Sequence, residues 1–303
     1  MQAVSQEFGR RALRKEDHWT DAPLTLPKEA KALVVYLDGT CGAICHEGYQ
    51  QIMVGALDRL DAEGSRRETA SVAHAPEEGK GTFLARMERA LGRLDKRYGK
   101  VPWLGPCDGA PDRQGWLEAQ CDRCTLDFYH VSEYVARTAP AFGQTQAAQQ
   151  AWLEETLHAL KHDARGAIPL QRKLTGALEA SEDLSGEVKA ALVEAARSVG
   201  HNLGRMDGAV HQALPLPIGS GVIAAACQQV VKQRGACRGM KWKRKGLRAV
   251  LTLRSLYQST GRREQFWGKV QVLGWSLAHG VSGRTMPELW RVAFTSPGGH
   301  TRL

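Results

Sequence analysis

The chain has 303 residues, of which 43% are hydrophobic, and it carries a net charge of +9 with a pI near 9.3. This composition excludes a disordered chain, and the longest apolar runs fall short of the ~20 residues that a membrane-spanning helix requires. The excess of cations favours a polyanionic partner, which can be DNA, RNA or an anionic surface.

The first predicted elements are strands. The apolar run 32–37 is typical of a strand that is buried on both faces, and it stops at Asp38, which a glycine follows. Two more strands are predicted at 51–57 and 68–74. The residues between them, 61–65, favour a turn, so the pattern predicts a hairpin.

A helix and two further strands are predicted next. Apolar residues recur at helical spacing over 82–98. The run 101–107 predicts a strand that also ends in an Asp-Gly pair, which begins with Asp108. A short helix around Trp116 and a strand at 125–129 complete this part of the chain.

The next part of the chain is predicted to be helical. A helical pattern continues through Leu160, and 168–206 is helical by composition, with a break at 183–186 that indicates a turn between two helices. A Gly-Ser-Gly turn then precedes a helix predicted at 221–234. Its buried face is expected to carry Ile223, Ala226, Cys227 and Val230.

Two aspartates, Asp38 and Asp108, stand where an apolar strand is expected to stop. Carboxylates at neighbouring strand ends are a minimal holder for Mg²⁺, which prefers oxygen ligands, and two such ions can promote phosphodiester cleavage. The alternative is that each Asp-Gly pair is only a turn signal. Asp127 and His130 either support such a site or serve as a helix cap near Ser132 and a packed histidine.

A basic segment covers 231–263, with eleven Lys or Arg and no Asp or Glu. Such a segment repels itself unless a polyanion neutralises it, and the nearby aromatic residues Trp242, Phe266 and Trp267 favour nucleic acid over a solvated face with no partner. The candidate contact residues are Lys232, Arg234, Arg238, Lys241, Trp242, Lys243, Arg244, Lys245 and Arg248.

Several motifs occur in a fixed order between about residues 31 and 275. The sharpest are PIGSGVI–AAC (217–227), VKQR (231–234), GM-W (239–242), AVL-LRSL (249–256) and QFW (265–267). Weaker ones are LDGT (37–40), CDGA (107–110) and LDFYHVSEY (126–134). Together they resemble the ISKra-type insertion-sequence transposases, relatives of the Mutator-like group of DDE transposases.

The resemblance implies an α/β fold with an RNase H-like core, a mixed sheet of about five strands flanked by helices, and an α-helical insertion after the fifth strand. It also implies that three acids with Mg²⁺ or Mn²⁺ cut and join DNA strands. The implied division of the chain is an N-terminal arm (1–30), the core with its first acids (31–140), the helical insertion (141–216), and the closing helix with a basic C-terminal helical region (217–303).

By position, Asp38 resembles the first acid of the family and Asp108 the second. The third, a glutamate in the first turn of the helix after the Gly-Ser-Gly turn, is replaced by Ala224, and Gln228 stands where the family usually has lysine. Alanine offers no oxygen ligand, so a site with two carboxylates is expected to hold its metal weakly.

The leading expectation is a DNA-binding, transposase-like protein whose chemistry is impaired by Ala224. One alternative is an active metal-dependent enzyme in which Glu133, Glu187 or Glu264 substitutes for the third acid. Another is a structural partner in a nucleoprotein complex. We expect DNA as the partner, a homo-oligomer on DNA and no membrane, and RNA stays an open alternative. The seven cysteines and the lack of an apolar signal core predict a cytoplasmic protein.

Overall fold

The computed structural model describes residues 9, 10, 12, 30–73, 79–98, 100–206, 217–236 and 240–273. Most of the predicted N-terminal arm therefore lies outside the described residues. The described chain is an α/β protein, as expected, with one mixed sheet, helices on both of its faces and a helical module after the last strand. None of the described helices is long and apolar enough to cross a membrane.

The sheet has the strand order β3-β2-β1-β4-β5, in which β1, β4 and β5 are parallel to one another and β2 is antiparallel to its neighbours. The strands are β1 (Ala32–Ile44), β2 (Gly48–Leu60), β3 (Arg66–Ala73), β4 (Trp103–Cys107) and β5 (Arg123–Leu126). The predicted hairpin is confirmed, since Asp61 Oδ1 accepts hydrogen bonds from the backbone N–H groups of Glu63 and Ser65.

The predicted end of the first strand is wrong. β1 does not stop at Asp38 but continues to Ile44, because β2 pairs with it along its whole length, from Ala32 opposite Leu60 to Ile44 opposite Gly48. The partner strand supplies hydrogen bonds that a local apolar pattern cannot reveal. Asp38 is therefore a mid-strand residue, and its Asp-Gly pair is no turn.

The helices are α1 (Gly79–Tyr98), α2 (Pro111–Gln120), α3 (Phe128–Thr138), α4 (Gln146–His162), α5 (Ala167–Glu179), α6 (Gly186–His201), α7 (221–235), α8 (Arg244–Gln258) and α9 (Thr260–Leu273). The predicted strand 125–129 is wrong beyond Leu126, because Asp127 caps α3, which begins at Phe128. His130 accordingly lies in the first turn of a helix and not at a strand end.

The two faces of the sheet carry different layers of helices. Side chains alternate along β1, so Val34 and Tyr36 point to the layer formed by α7 and α8, whereas Leu33 and Val35 point to the layer formed by α1 and α2. A third apolar cluster joins β5 to helices α3 to α6. Asp38 has the same parity as Val34 and Tyr36, which directs its side chain towards α7.

Helix α7 is regular at its start and widens in the middle. It begins as an α-helix, Gly221–Ala226, continues as a π-helical segment, Cys227–Lys232, and ends in a turn, Gln233–Gly235. Arg254 of α8 meets this segment, since its Nε lies 2.9 Å from the backbone oxygens of both Gln229 and Val230. Arg254, a residue of the basic segment, is therefore buried, with 5% of its surface exposed. Its guanidinium donates hydrogen bonds to carbonyl groups inside the protein.

Replacing Arg254 with methionine is expected to lower the free energy of unfolding by about 2–3 kcal/mol. The substitution keeps much of the side-chain volume but leaves the two carbonyl oxygens buried without a donor. Lys245→Met, at an exposed position of the same helix, should change stability by less than about 0.5 kcal/mol. Urea denaturation measures both, and equal losses would contradict the role assigned to Arg254.

Candidate functional site

The register of β1 and β4 brings the two predicted acids side by side. These parallel strands pair at Leu33 and Trp103, and five residues further along both strands stand Asp38 and Asp108. Both have the parity of the face that α7 covers. Although the hydrogen-bonded ladder itself ends earlier, the two carboxylates lie close enough that both act electrostatically on one guanidinium, that of Arg113.

A third aspartate continues the same row. β4 and β5 pair at Cys107 and Leu126, so the next position on each strand is Asp108 and Asp127. The backbone N–H of Asp127 donates to the carbonyl of Cys107 at 2.8 Å, which continues the parallel pairing to this residue. The row therefore holds Asp38 within β1 and one aspartate directly after each of β4 and β5.

Arg113 is the cation of this row. Its Nε lies 3.3 Å from Asp108 Oδ1 and its Nη2 donates to Asp108 Oδ2, while the backbone N–H of Ala110 donates to Oδ1 at 3.1 Å. Burial opposes the charge on Arg113, but the hydrogen bond to Asp108 and the charges of Asp108 and Asp38 raise the pKa of Arg113 overall. Arg113 thus supplies a fixed positive charge to both acids.

Asp38 makes its contact with α7. Cys227 Sγ lies 3.6 Å from Asp38 Oδ2. Burial, together with the charge and hydrogen bond of Asp38, raises the pKa of Cys227 to about 12, so the thiol stays neutral and donates a hydrogen bond to the carboxylate. Ala224 is exposed and lies one helical turn before Cys227. A longer side chain at position 224 would therefore lie beside Asp38.

Asp127 joins two helices. Its Oδ1 accepts hydrogen bonds from the backbone N–H groups of Tyr129 and His130, which caps α3, and its Oδ2 accepts from the backbone N–H and the hydroxyl of Ser220, where α7 begins. A Cβ atom on Gly219 would lie 2.5 Å from Tyr129 Cδ2, so the close approach requires glycine. Of the two sequence alternatives for Asp127, the structure has the helix cap.

His130, the other predicted support, lies on α3 with its Nε2 3.1 Å from the hydroxyl of Tyr134. It is a packed, hydrogen-bonded histidine, and its partner is a phenol. The structure places Asp38 and Asp108 near one guanidinium, with Ala224 one turn before Cys227 on α7, and it leaves His130 on the side of Asp108 that faces the helical module.

The donor atoms of this site do not fit a two-metal centre. Asp108 is bound by Arg113, and the oxygens of Asp127 accept four hydrogen bonds. Position 224 offers no oxygen. Within the described part of the chain, no group of three His, Cys, Asp or Glu side chains is placed to hold a metal ion. The two remaining carboxylates fall short of the ligand set that the resemblance implies.

Trp242 anchors the predicted nucleic-acid-binding segment in the protein core. Its ring is 7% exposed in the core between the sheet and α8, its Nε1 donates to the carbonyl of Arg234 at 2.9 Å, and its backbone bridges to Ile44 at the end of β1. The expectation that Trp242 itself contacts nucleic acid is corrected, because its ring is packed against protein. In this extended stretch its neighbours Lys241 and Lys243 are exposed.

The other predicted contact residues divide by exposure. Arg244 donates to Glu47 and is partly buried, as are Arg234 and Arg248, while Arg238 lies outside the described residues. The exposed members, which we call the basic edge, are Lys232, Lys241, Lys243 and Lys245. Ile44, beside the edge, is six residues from Asp38 along β1, a distance of about 20 Å.

Arg113 and Cys227 are the residues of this site that sequence reasoning missed. An arginine near the start of a polar helix gives no sequence pattern that indicates a functional role, so the sequence does not single out Arg113. Its position five residues after Asp108, in the first turn of α2, is nevertheless compatible with a contact between the two side chains. Cys227 was assigned only to the buried face of its helix. A comparison of the chain with protein-family models and with curated proteins found no match.

Proposed function

We propose that the chain is a DNA-binding protein on the scaffold of an ISKra-type, Mutator-like transposase, related to DNA transposition, with its strand-transfer chemistry impaired. The observation that carries the proposal is the pair Asp38 and Asp108, in register on the face under α7, with alanine at position 224. An RNase H-like core with the four divisions 1–30, 31–140, 141–216 and 217–303 belongs to the same proposal.

The layout of the sheet supports the RNase H-like core. β1 carries the first acid in the middle of the sheet, and β4 carries the second at its end. Helices α4 to α6 lie in the division 141–216 that we take as the insertion, and α7 returns to cover β1 beside Asp38. This order of strands, helices and α7 supports the RNase H-like core that we propose.

The impairment follows from the charges at the acids. A metal ion that used Asp108 would have to displace the guanidinium of Arg113, which binds both of its oxygens. Asp38 already accepts a hydrogen bond from the neutral thiol of Cys227. Two carboxylates that are both engaged, with no third oxygen donor, hold Mg²⁺ or Mn²⁺ poorly and cannot position an attacking water. Without a metal, Arg113 offsets part of the negative charge of the two acids and Cys227 donates a hydrogen bond to Asp38.

The basic edge supplies the proposed contact with DNA. Its lysines extend from a rigid base, because Trp242 anchors the segment in the core and Arg244 is bound to Glu47. Lysine ammonium groups on such a surface contact phosphates and carry little sequence information. We expect charge to dominate DNA binding, whether the chain binds as a homo-oligomer or as a monomer. RNA would be bound through the same contacts with phosphates.

The active-enzyme alternative gains little from the positions of its substitute acids. Glu133 lies on α3, Glu187 in the first turn of α6 and Glu264 on α9, and none is on α7 or in the row of aspartates. Mg²⁺-dependent nicking by the unaltered chain would favour this alternative. The third candidate, a structural partner in a nucleoprotein complex, would be favoured if the chain bound no DNA by itself.

Duplex DNA binding should weaken steeply with salt, with a slope of log affinity against log salt of about −0.9 for each phosphate neutralised. Replacing both Lys241 and Lys243 with glutamine should flatten the slope by about two units of that size and weaken binding to unrelated sequences alike. Lys161→Gln, which removes a charge from the helical module, is the control. An unchanged slope in the double variant would locate the DNA surface elsewhere.

Removing the internal cation should create a metal site. In Arg113→Gln the carboxylates of Asp38 and Asp108 lose their shared positive charge, so Mn²⁺ becomes their best counter-ion. If Mn²⁺ is supplied at about ten times its dissociation constant, binding adds about 1.4 kcal/mol of stability, a rise of about 3 °C in melting temperature. The unaltered chain and Arg113→Lys should show a smaller rise. Equal rises in all three would contradict the role of Arg113.

Restoring an acid at position 224 tests the origin of the impairment. Ala224→Glu should fold, because the site is exposed and an acid in the first turn of a helix interacts favourably with the helix dipole. In the double variant with Arg113→Gln, three carboxylates share the site, and we expect Mn²⁺-dependent nicking of plasmid DNA that the unaltered chain lacks. Equal nicking by both proteins would show that another residue supplies the third acid.

A further inference from the structure

An open pocket of about 590 Å³ lies between the end of β4 and the helical module, beside Asp108. Its floor is the loop 108–111 with the start of α2, and His130 and Tyr134 of α3 form one wall. Helix α6, which packs against α3, also lines the pocket, through a stripe formed by Glu194, Arg197, Ser198 and His201. The volume is in the range of about 300–1,000 Å³ that is typical of sites for small ligands.

The acids that line this pocket are neutralised in place. Each is bound by an arginine: Asp108 by Arg113, Glu118 by Arg205 and Glu194 by Arg137. The hydrogen bonds from Arg205 and Gln114 lower the pKa of Glu118, so this carboxylate stays charged and paired. The acids therefore contribute little net negative charge to the pocket.

Arg197 is different from the arginines that hold the acids. It lies in the middle of the α6 stripe, is exposed to the pocket, and makes no hydrogen bond or ion pair with any described residue. Ser198 and His201 add a hydroxyl and an imidazole on the same stripe. With the acids cancelled, the guanidinium of Arg197 gives the pocket a net positive charge, and an anion with planar or bidentate oxygens is its natural ligand.

The part of the pocket that α3 lines is aromatic. The rings of His130 and Tyr134 meet edge to face, with their centroids 4.9 Å apart, and the guanidinium of Arg137 lies 5.0 Å from the centroid of Tyr134. These contacts fix the two rings in place. A planar ligand group that enters beside Asp108 can therefore contact a rigid ring surface on α3 and the guanidinium of Arg197 on the neighbouring helix α6.

We infer that this pocket binds one unpaired nucleotide of a DNA strand, with its phosphate on Arg197 and its base against His130 and Tyr134. A duplex cannot enter a pocket of this volume, whereas a flipped or terminal nucleotide fits. The inference rests on the proposed function for the choice of DNA, and it adds which part of the strand reaches the neighbourhood of Asp108. The basic edge contacts phosphates of the duplex, and the pocket holds the strand where pairing ends.

The test is calorimetric titration of the full chain with deoxyadenosine 5′-monophosphate and, separately, with inorganic phosphate. The nucleotide should bind more tightly than phosphate, and Arg197→Gln should weaken its binding about tenfold or more, because a charge-assisted hydrogen bond is lost. Arg172→Gln, at an exposed position of α5 outside the pocket, is the matched control and should bind as the unaltered chain does. Ser198→Phe fills the pocket from a helix surface and should abolish nucleotide binding.

Three results would overturn the inference: no binding of the nucleotide, equal binding of nucleotide and phosphate, or equal losses in Arg197→Gln and Arg172→Gln. Duplex affinity is measured on the same proteins and separates the two proposals. Duplex binding without nucleotide binding would remove the pocket inference and leave the proposed function. Nucleotide binding without duplex binding would remove DNA binding by the basic edge and leave the pocket as a nucleotide site.

Discussion

The buried carboxylate of Asp127 is the interaction on which the rest of the structure depends. It accepts hydrogen bonds from the start of α3 and from the start of α7, and so joins the point where the chain leaves the sheet to the point where it returns. A four-helix module lies between those points. Asp127 is 5% exposed, and four hydrogen-bond donors satisfy its carboxylate oxygens in the protein interior. The hydrogen bonds between Asp127 and Ser220 fix where α7 begins. They thereby also fix the position of residue 224 relative to β1.

The charges around Asp38 and Asp108 show how an acidic row can be stable without a metal. Neighbouring carboxylates repel each other, and the usual remedies are a cation or a bound proton. This chain uses an arginine for Asp108 and the neutral thiol of Cys227 for Asp38. Both partners come from helices that the sheet positions, so the arrangement is part of the fold. Such an arrangement agrees with the proposal that the chain binds DNA strands without cutting them.

The basic segment serves two purposes that its composition does not separate. Arg254 and Arg244 satisfy groups of the protein itself, a pair of carbonyl oxygens in one case and a carboxylate in the other. Lys241 and Lys243 stay exposed because Trp242 between them is buried. The same division recurs at the pocket, where three arginines hold acids and Arg197 does not. The net charge alone predicts that the chain binds a polyanion. Which lysine and arginine side chains are left to contact that polyanion depends on whether each one already has a partner within the protein.

The sequence by itself determined the α/β class, the hairpin, the helical module and the lack of an oxygen ligand at position 224, because these follow from local periodicity, turn residues and side-chain chemistry. Tertiary structure decided what depends on partners distant in sequence. The continuation of β1 past Asp38 depends on β2, the pairing of Arg113 with Asp108 on the approach of α2, and the burial of Trp242 on the end of β1. A residue's hydrogen-bond partners and exposure are properties of the packed chain, and no local pattern contains them.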